Sequence, residues 1–495
     1  MKKRQIILLI TDSTRQDMLG CYGNKAMNTP CLDAMAAEGI RYDNAYSCQP
    51  VCGPARSSIF TGTYPHSNGS IANSMPLGAN VKTVGQRLTD NGIHAAYIGK
   101  YHLDGGDYFG LGKCPEGWDP DYWYDMKCYL EELTEQERVL SRQPDTNRQG
   151  IKPEFTFGHR CADRAIHFLQ KYQDEDFFLT VSFDEPHGPS LCPEPYASAF
   201  RDYEFPKSPN VWDTLEGKPE YQKIWAGDSL KMDRDALTLK RPYYLGCNSY
   251  VDGEIGRVLN CIHEAAPDAL IIYTSDHGDG MQSHCLNSKG PAMYNEIARV
   301  PMLITGPGVP KGVVDGQPIS HINLAPLVLD YMGIPIPKLL EGKSMLPAVY
   351  NPKERINDFV VTEFTRYEID HDGFGGLQMM RGIFDGRYKL VIHLLDNVDE
   401  FYDQKTDPYE MKNLIFDDSC YEIKKRLHEQ LIKWMDQTRD PYRGYQWERR
   451  PWRTDAKEAS WKNHGYTRQR ENEEYEPRQL DYATGLPMEE AVRLK

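Results

Sequence analysis

The sequence predicts an α/β protein: a large, mostly parallel sheet sandwiched by helices, then a smaller C-terminal antiparallel sheet with one packed helix. Three observations predict it. Short apolar runs bounded by polar or glycine residues recur up to about residue 370, with amphipathic stretches between them. Beyond that point the pattern changes to short strands with turn residues between them. With 495 residues the chain is also too long for one small core, so a large domain plus a smaller one is expected.

Taken in order, Ile6 to Thr11 reads as a buried first strand. The basic start Met1-Lys2-Lys3-Arg4 resembles an export signal, but the apolar stretch is short, lacks a small-residue cleavage site and stops at Thr11-Asp12. Cys31 to Glu38 and Val84 to Asp90 read as helices, and Ala95 to Ile98 as the next strand. His159 to Tyr172 is a helix ahead of the strand Phe177 to Phe183. Tyr243 to Glu264 is a long helix followed by the strands Ala269 to Thr274 and Pro301 to Ile304. Two irregular segments, 104–155 and 190–240, are insertions of the kind that shape a pocket or run over the surface.

These elements make up a first domain, 1–370. The second, 371–440, contains the short strands Leu377 to Phe384, Arg387 to Leu395 and Glu400 to Tyr402, with Asp385-Gly386 at a turn, and the amphipathic helix Cys420 to Thr438. Residues 441–495 read as an extended tail that lies on the surface or contacts a second subunit, which would make a homo-oligomer. Trp447, Trp452 and Trp461 argue that it is not wholly disordered.

A net charge of −15 excludes general affinity for nucleic acid or anionic membranes, so an anionic substrate needs a local positive site. No apolar run approaches the roughly 20 residues that span a bilayer. The 12 cysteines are scattered and form no CxxC pattern, which suits reduced thiols in a cytoplasm.

In open α/β sheets, sites form beyond the carboxyl ends of strands. Asp12 follows the first strand, and Lys100 and His102 the second. Asp184, Glu185 and His187 follow the third, and Asp276 and His277 the fourth. Charged and imidazole groups far apart in sequence are thereby expected to converge on one sheet edge.

The segment Pro50-Val51-Cys52-Gly53-Pro54-Ala55-Arg56-Ser57-Ser58-Ile59-Phe60-Thr61-Gly62 resembles the signature of the sulfatase family, within the alkaline phosphatase superfamily. The local physics agrees: Pro54 suits the first turn of a helix, which puts Cys52 at the positive end of its dipole, where anions bind. The resemblance implies that Cys52 is oxidised to formylglycine by a formylglycine-generating or sulfatase-maturating enzyme. The hydrated aldehyde would then attack sulfur and later collapse to expel sulfate. Arg56 would hold that diol or a sulfate oxygen.

Gly99-Lys100-Tyr101-His102 approximates a second family signature, which implies that Lys100 binds sulfate and His102 assists the diol. Ser275-Asp276-His277-Gly278-Asp279 resembles the metal segment, so the implied ligands are Asp12, Cys52, Asp276 and His277. Hard oxygens favour Ca²⁺, with Mg²⁺ as an alternative, and the imidazole also suits Mn²⁺ or Zn²⁺. Many relatives carry a second aspartate where this chain has Ser13. His187 resembles the histidine that protonates the leaving group, and Lys289 a second sulfate contact. The resemblance covers about residues 5 to 415.

The expected activity is hydrolysis of a sulfate ester or N-sulfate on a small anionic molecule such as a sulfated sugar. Phosphonate monoester and phosphodiester hydrolases of the same superfamily share the cysteine motif, the Asp-His pair and the missing second aspartate, and are the alternative. Without oxidation of Cys52 the chain would be a silent binding protein.

Overall fold

The computed structural model describes residues 3–106, 108–368 and 376–456. The large sheet contains β1 (Gln5–Thr11), β2 (Ile40–Tyr46), β3 (His94–Gly99), β4 (Phe177–Ser182), β5 (Leu270–Ser275), β6 (Arg299–Thr305), β7 (Val313–Asp315) and β8 (Ile319–Ser320). Its order is β3-β4-β1-β5-β6-β2-β7, with β8 beside β2. Only the pairings of β6, with β5 and with β2, are antiparallel, so one strand runs against the rest. That reversal matters for the site. Because β6 starts at the edge where β5 ends, the link between them stays on that edge.

β1 shows why the central strands read as unbroken apolar runs. Ile7 and Leu9 enter one core, and Ile6, Leu8 and Ile10 enter the other, since successive strand residues face opposite sides. Both faces are covered, and no polar alternation is left. The covering helices are α1 (Pro30–Ala37), α2 (Cys52–Thr61), α3 (Val84–Thr89), α4 (Phe157–Lys171), α5 (Pro242–Ala265) and α6 (Leu324–Met332). α1, α4 and α5 cover one face through residues such as Leu32, Phe168 and Ile255. α2, α3 and α6 cover the other through Phe60, Leu88 and Leu327. The sandwich agrees with the sequence reading, which had no strand at β2, β7 or β8.

A second sheet, ordered β12-β11-β10-β9, is wholly antiparallel. It contains β9 (Val360–Arg366), which the sequence reading also lacked, β10 (Leu377–Phe384), β11 (Tyr388–His393) and β12 (Glu400–Asp403). The helix α7 (Tyr421–Gln437) packs Leu427, Leu431 and Met435 against Ile383, Leu390 and Phe401. Trp447 and Trp452 complete that core. Arg450 donates to both oxygens of buried Asp399, at 2.8 Å each. The chain as far as residue 456 is thus seated on the small sheet, while Trp461 lies outside the described residues.

Candidate active site

Four adjacent parallel strands, β3-β4-β1-β5, end side by side, and each is followed by polar residues. Asp12, Lys100, Asp184, Asp276 and His277 are all buried at that edge. α2 starts there too. Val51 is extended and caps it, and the Gly53 N–H donates to Asn73 Oδ1 at 2.9 Å. The first turn of α2 thus presents Cys52 to the strand ends.

The Cys52 sulfur lies 3.2 Å from His277 Nε2 and 3.8 Å from Asp12 Oδ1, and accepts from Lys289 Nζ at 3.0 Å. Ligand atoms of Asp12, Cys52, Asp276 and His277 all fall within 4.8 Å of one another. Arg56 is fully buried and donates to Asp276 at 3.1 Å, Asp12 at 3.2 Å, the Lys100 carbonyl at 2.6 Å and Ser182 Oγ at 2.7 Å. Its donors therefore orient the two carboxylates. Lys100 bridges Asp12 at 2.8 Å and Asp184 at 3.0 Å.

Charge explains how these groups titrate. Burial and Asp12 act to raise the Cys52 thiol, but Lys289, Lys100 and His277 outweigh them and bring it down to about 5. Burial and Asp12 push Asp276 up. Asp12 falls well below the carboxylate range, because Lys100, His187, Lys289 and His277 overcome its burial. Two buried carboxylates crowded beside an imidazole are a donor set that a divalent cation would relieve. The residues fit such an ion.

The structure brings every expected site residue to this edge. His102 is buried, takes φ 59°, and has no hydrogen-bond partner on either ring nitrogen. Burial, Lys100 and Arg56 hold it neutral, down at about 3. His187 stands further out, stacked on Tyr108 with ring centroids 5.0 Å apart, and its Nδ1 lies 2.9 Å from the Gly188 carbonyl. Burial, Lys100 and Lys289 bring it down to about 4. At the position lacking a second carboxylate, the Ser13 hydroxyl donates to Asp12 Oδ1 at 2.8 Å, and its N–H donates to Asp276 at 3.2 Å.

Two contributors had no role assigned to them from the sequence, although Asp184 was expected at this edge. Asp184 holds Lys100, and Tyr108 donates to Asp184 while its ring lies 4.1 Å from the lysine ammonium. The position of Asp184 directly after a strand was a usable signal. Tyr108 comes from the 104–155 insertion and had none. That insertion walls a cavity of about 400 Å³ that opens beside His187 and Asp184.

Residues 4–334 match the sulfatase family, and residues 286–437 match the family described as N-sulphoglucosamine sulphohydrolase, C-terminal. The chain belongs to the sulfatase family and is a sulfuric ester hydrolase of the alkaline phosphatase superfamily. It is 42% identical to the uncharacterized sulfatase YidJ of Escherichia coli, over 98% of this chain and 97% of that protein. It is 26% identical to an N-acetylglucosamine-6-O-sulfatase of Bacteroides thetaiotaomicron, over 89% and 87% respectively. The phosphonate monoester hydrolase of Agrobacterium radiobacter shares the fold with a TM-score of 0.71 at 22% identity, covering 88% of this chain and 96% of that one.

Proposed function

We propose that the protein removes sulfate from a small sulfated sugar, using a formylglycine made from Cys52 and a divalent metal at Asp12, Asp276, His277 and residue 52. The observation that carries this reading is the placement of Cys52 Sγ, with Lys289 at 3.0 Å and three metal-type donors in one cluster. In this unmodified chain, the sulfur stands in for the oxygen of the oxidised side chain. Formylglycine supplies a hydrated aldehyde as nucleophile, and the metal supplies positive charge beside it, with Ca²⁺ the first choice for the two carboxylates.

The chain's own residues do the rest. Lys289 and Lys100 bind sulfate oxygens, and Arg56 fixes Asp12 and Asp276. His102 accepts a proton next to residue 52. His187 holds Nδ1–H on the Gly188 carbonyl, which leaves Nε2 to carry the proton to the leaving oxygen. A bound sulfate between Lys100 and Lys289 offsets the field that keeps His187 neutral, so substrate binding favours its protonation. Cys52 is only 1% exposed, so a maturating enzyme has to act before the chain folds.

The named sugar-sulfate relative and the match to the sulphoglucosamine family support a sugar substrate. Among the described residues no helix is long and apolar enough to cross a membrane. We place the enzyme in a reducing cytoplasm, which suits the free thiols it carries besides Cys52. Mass spectrometry of the peptide containing Cys52 is expected to show an aldehyde. The purified protein should turn over 4-nitrophenyl sulfate faster than a phosphonate monoester. An unchanged thiol in the native host overturns the mechanism, and a preference for the phosphonate transfers the chain to the alternative activity.

A further inference from the structure

Lys289, which reaches the Cys52 sulfur, stands in an irregular stretch, 286–294, on the link from β5 to β6. Most of that stretch is buried, so its backbone groups need partners that a helix or strand ladder does not supply. Upstream of the lysine, the Ser288 carbonyl accepts from the Gly280 N–H at 2.7 Å. Downstream, the holding group is a side chain distant in sequence: the Tyr221 hydroxyl donates to the Pro291 carbonyl at 2.5 Å.

Tyr221 lies on the short helix Glu220–Ala226, inside the irregular segment 190–240. Four residues on, and so on the same face of that helix, Trp225 covers Gly290: a Cβ there would lie 3.3 Å from the Trp225 ring. One helix face thus holds the two residues that directly follow Lys289. The helix is itself fixed from behind by the small sheet. The Tyr221 oxygen is 3.1 Å from Met380 Sδ on β10 and 3.3 Å from His393 Nδ1 on β11, and Gln222 Nε2 donates to Glu400 on β12 at 2.9 Å. Gln222 Oε1 in turn accepts from the Tyr294 hydroxyl at 2.6 Å, at the far end of the irregular stretch. A phenylalanine at 221 would fill the same core. What the hydroxyl adds is the bond to the turn that carries Lys289.

We propose that Tyr221 is a positioning residue for sulfate binding: its hydrogen bond to Pro291, with Trp225 seated on Gly290, sets where the Lys289 ammonium stands beside residue 52. The proposal rests on the sulfatase reading above and deepens it, since it gives the 190–240 segment and the small sheet a part in gripping the anion. Tyr221 acts through Lys289 and touches no reacting atom.

The test is a double-substitution cycle on the mature enzyme, read in kcat/KM for 4-nitrophenyl sulfate and in the Kd of inorganic sulfate by calorimetry. The second readout closes the cycle where turnover is too slow to follow. Tyr221→Phe keeps the ring and removes the bond. It should lower kcat/KM about tenfold and weaken sulfate binding by a similar factor. In a Lys289→Ala background the same change should cost less than about twofold, because the group it positions is gone. Trp225→Phe, which withdraws ring contact from Gly290, should follow the same pattern and serves if the first variant does not fold. Tyr22→Phe controls for stability alone, since it also removes a hydroxyl that donates to a backbone carbonyl, that of Tyr42 at 2.9 Å, outside the site. Its kcat/KM should stay within about twofold of native. Unchanged values in Tyr221→Phe, equal losses with and without Lys289, or a loss in Tyr22→Phe as large as in Tyr221→Phe overturns the proposal. Absence of turnover by the native enzyme on every sulfate ester is instead a failure of the sulfatase reading itself.

Discussion

Lys100 concentrates much of the site on one ammonium, because it answers two buried carboxylates, Asp12 and Asp184, while lying over the Tyr108 ring. Removing one partner of a buried ion pair costs about 3–5 kcal/mol. Lys100→Ala should lose stability on that scale in chemical denaturation, and about 10²–10³-fold in kcat/KM on an aryl sulfate. Much of this was legible in the sequence, since charged residues directly after apolar runs marked Asp12, Lys100, Asp276 and His277. The full set of contacts around Arg56 was not legible. Its donors reach groups 44, 126 and 220 residues away, and no local pattern encodes such pairings.

At the scale of elements, β3 passes very close to β4 at its end. Gly99 has φ 117°, and a Cβ there would lie 1.9 Å from the Ser182 carbonyl oxygen. Gly99→Ala should therefore cost more than about 3 kcal/mol and displace Lys100 with it, read as a lower melting temperature together with lost activity. α7 supplies a prediction about pH. His428 Nε2 donates to the Trp447 carbonyl at 2.6 Å, and its Nδ1 accepts from Arg453 at 2.9 Å. The neutral ring is satisfied on both sides, and burial brings the group down to about 3.

Because the folded value lies below the unfolded one, the stabilisation from His428 is complete above pH 6.5 and is lost as pH falls from there toward 3. Between pH 6.5 and 4.5, native stability should drop by about 1.4 kcal/mol per pH unit from this residue, and His428→Gln should lack that slope in urea titrations. The central strands were legible because burial on both faces leaves only apolar residues. β2 was not: in Ile40–Tyr46 the half-exposed Asp43 and Asn44 interrupt the run where the register shifts. β9 carries Glu363, which is buried only because His66 and Arg381 meet it there.

For the whole molecule, the segment after α7 is part of the small domain's core. Trp447 is fully buried, and Asp399 takes hydrogen bonds from Arg450 and from the Trp452 indole at 2.8 Å. Ending the chain after Asp440 should uncover that carboxylate and cost at least about 3 kcal/mol, seen as a lower melting temperature. The same variant in size-exclusion chromatography tests the expected contact with a second subunit: a unchanged elution volume removes the tail from any such interface.

Most of the groups assigned to the reaction stand shortly after strands or at the head of one helix, with Lys289 on the link from β5 to β6, whereas the aromatic wall of the cavity formed by Tyr108, Phe109 and Tyr129 comes from the insertion threaded between β3 and β4. The stretch that shapes the cavity and the stretches that carry the reaction are thereby largely distinct, and they meet where Tyr108 touches Asp184, Lys100 and His187. Grafting residues 104–155 from a relative with another preference, with Tyr108 kept in place on Asp184 and Lys100, should redirect the enzyme toward that relative's alcohol while turnover of an aryl sulfate is retained.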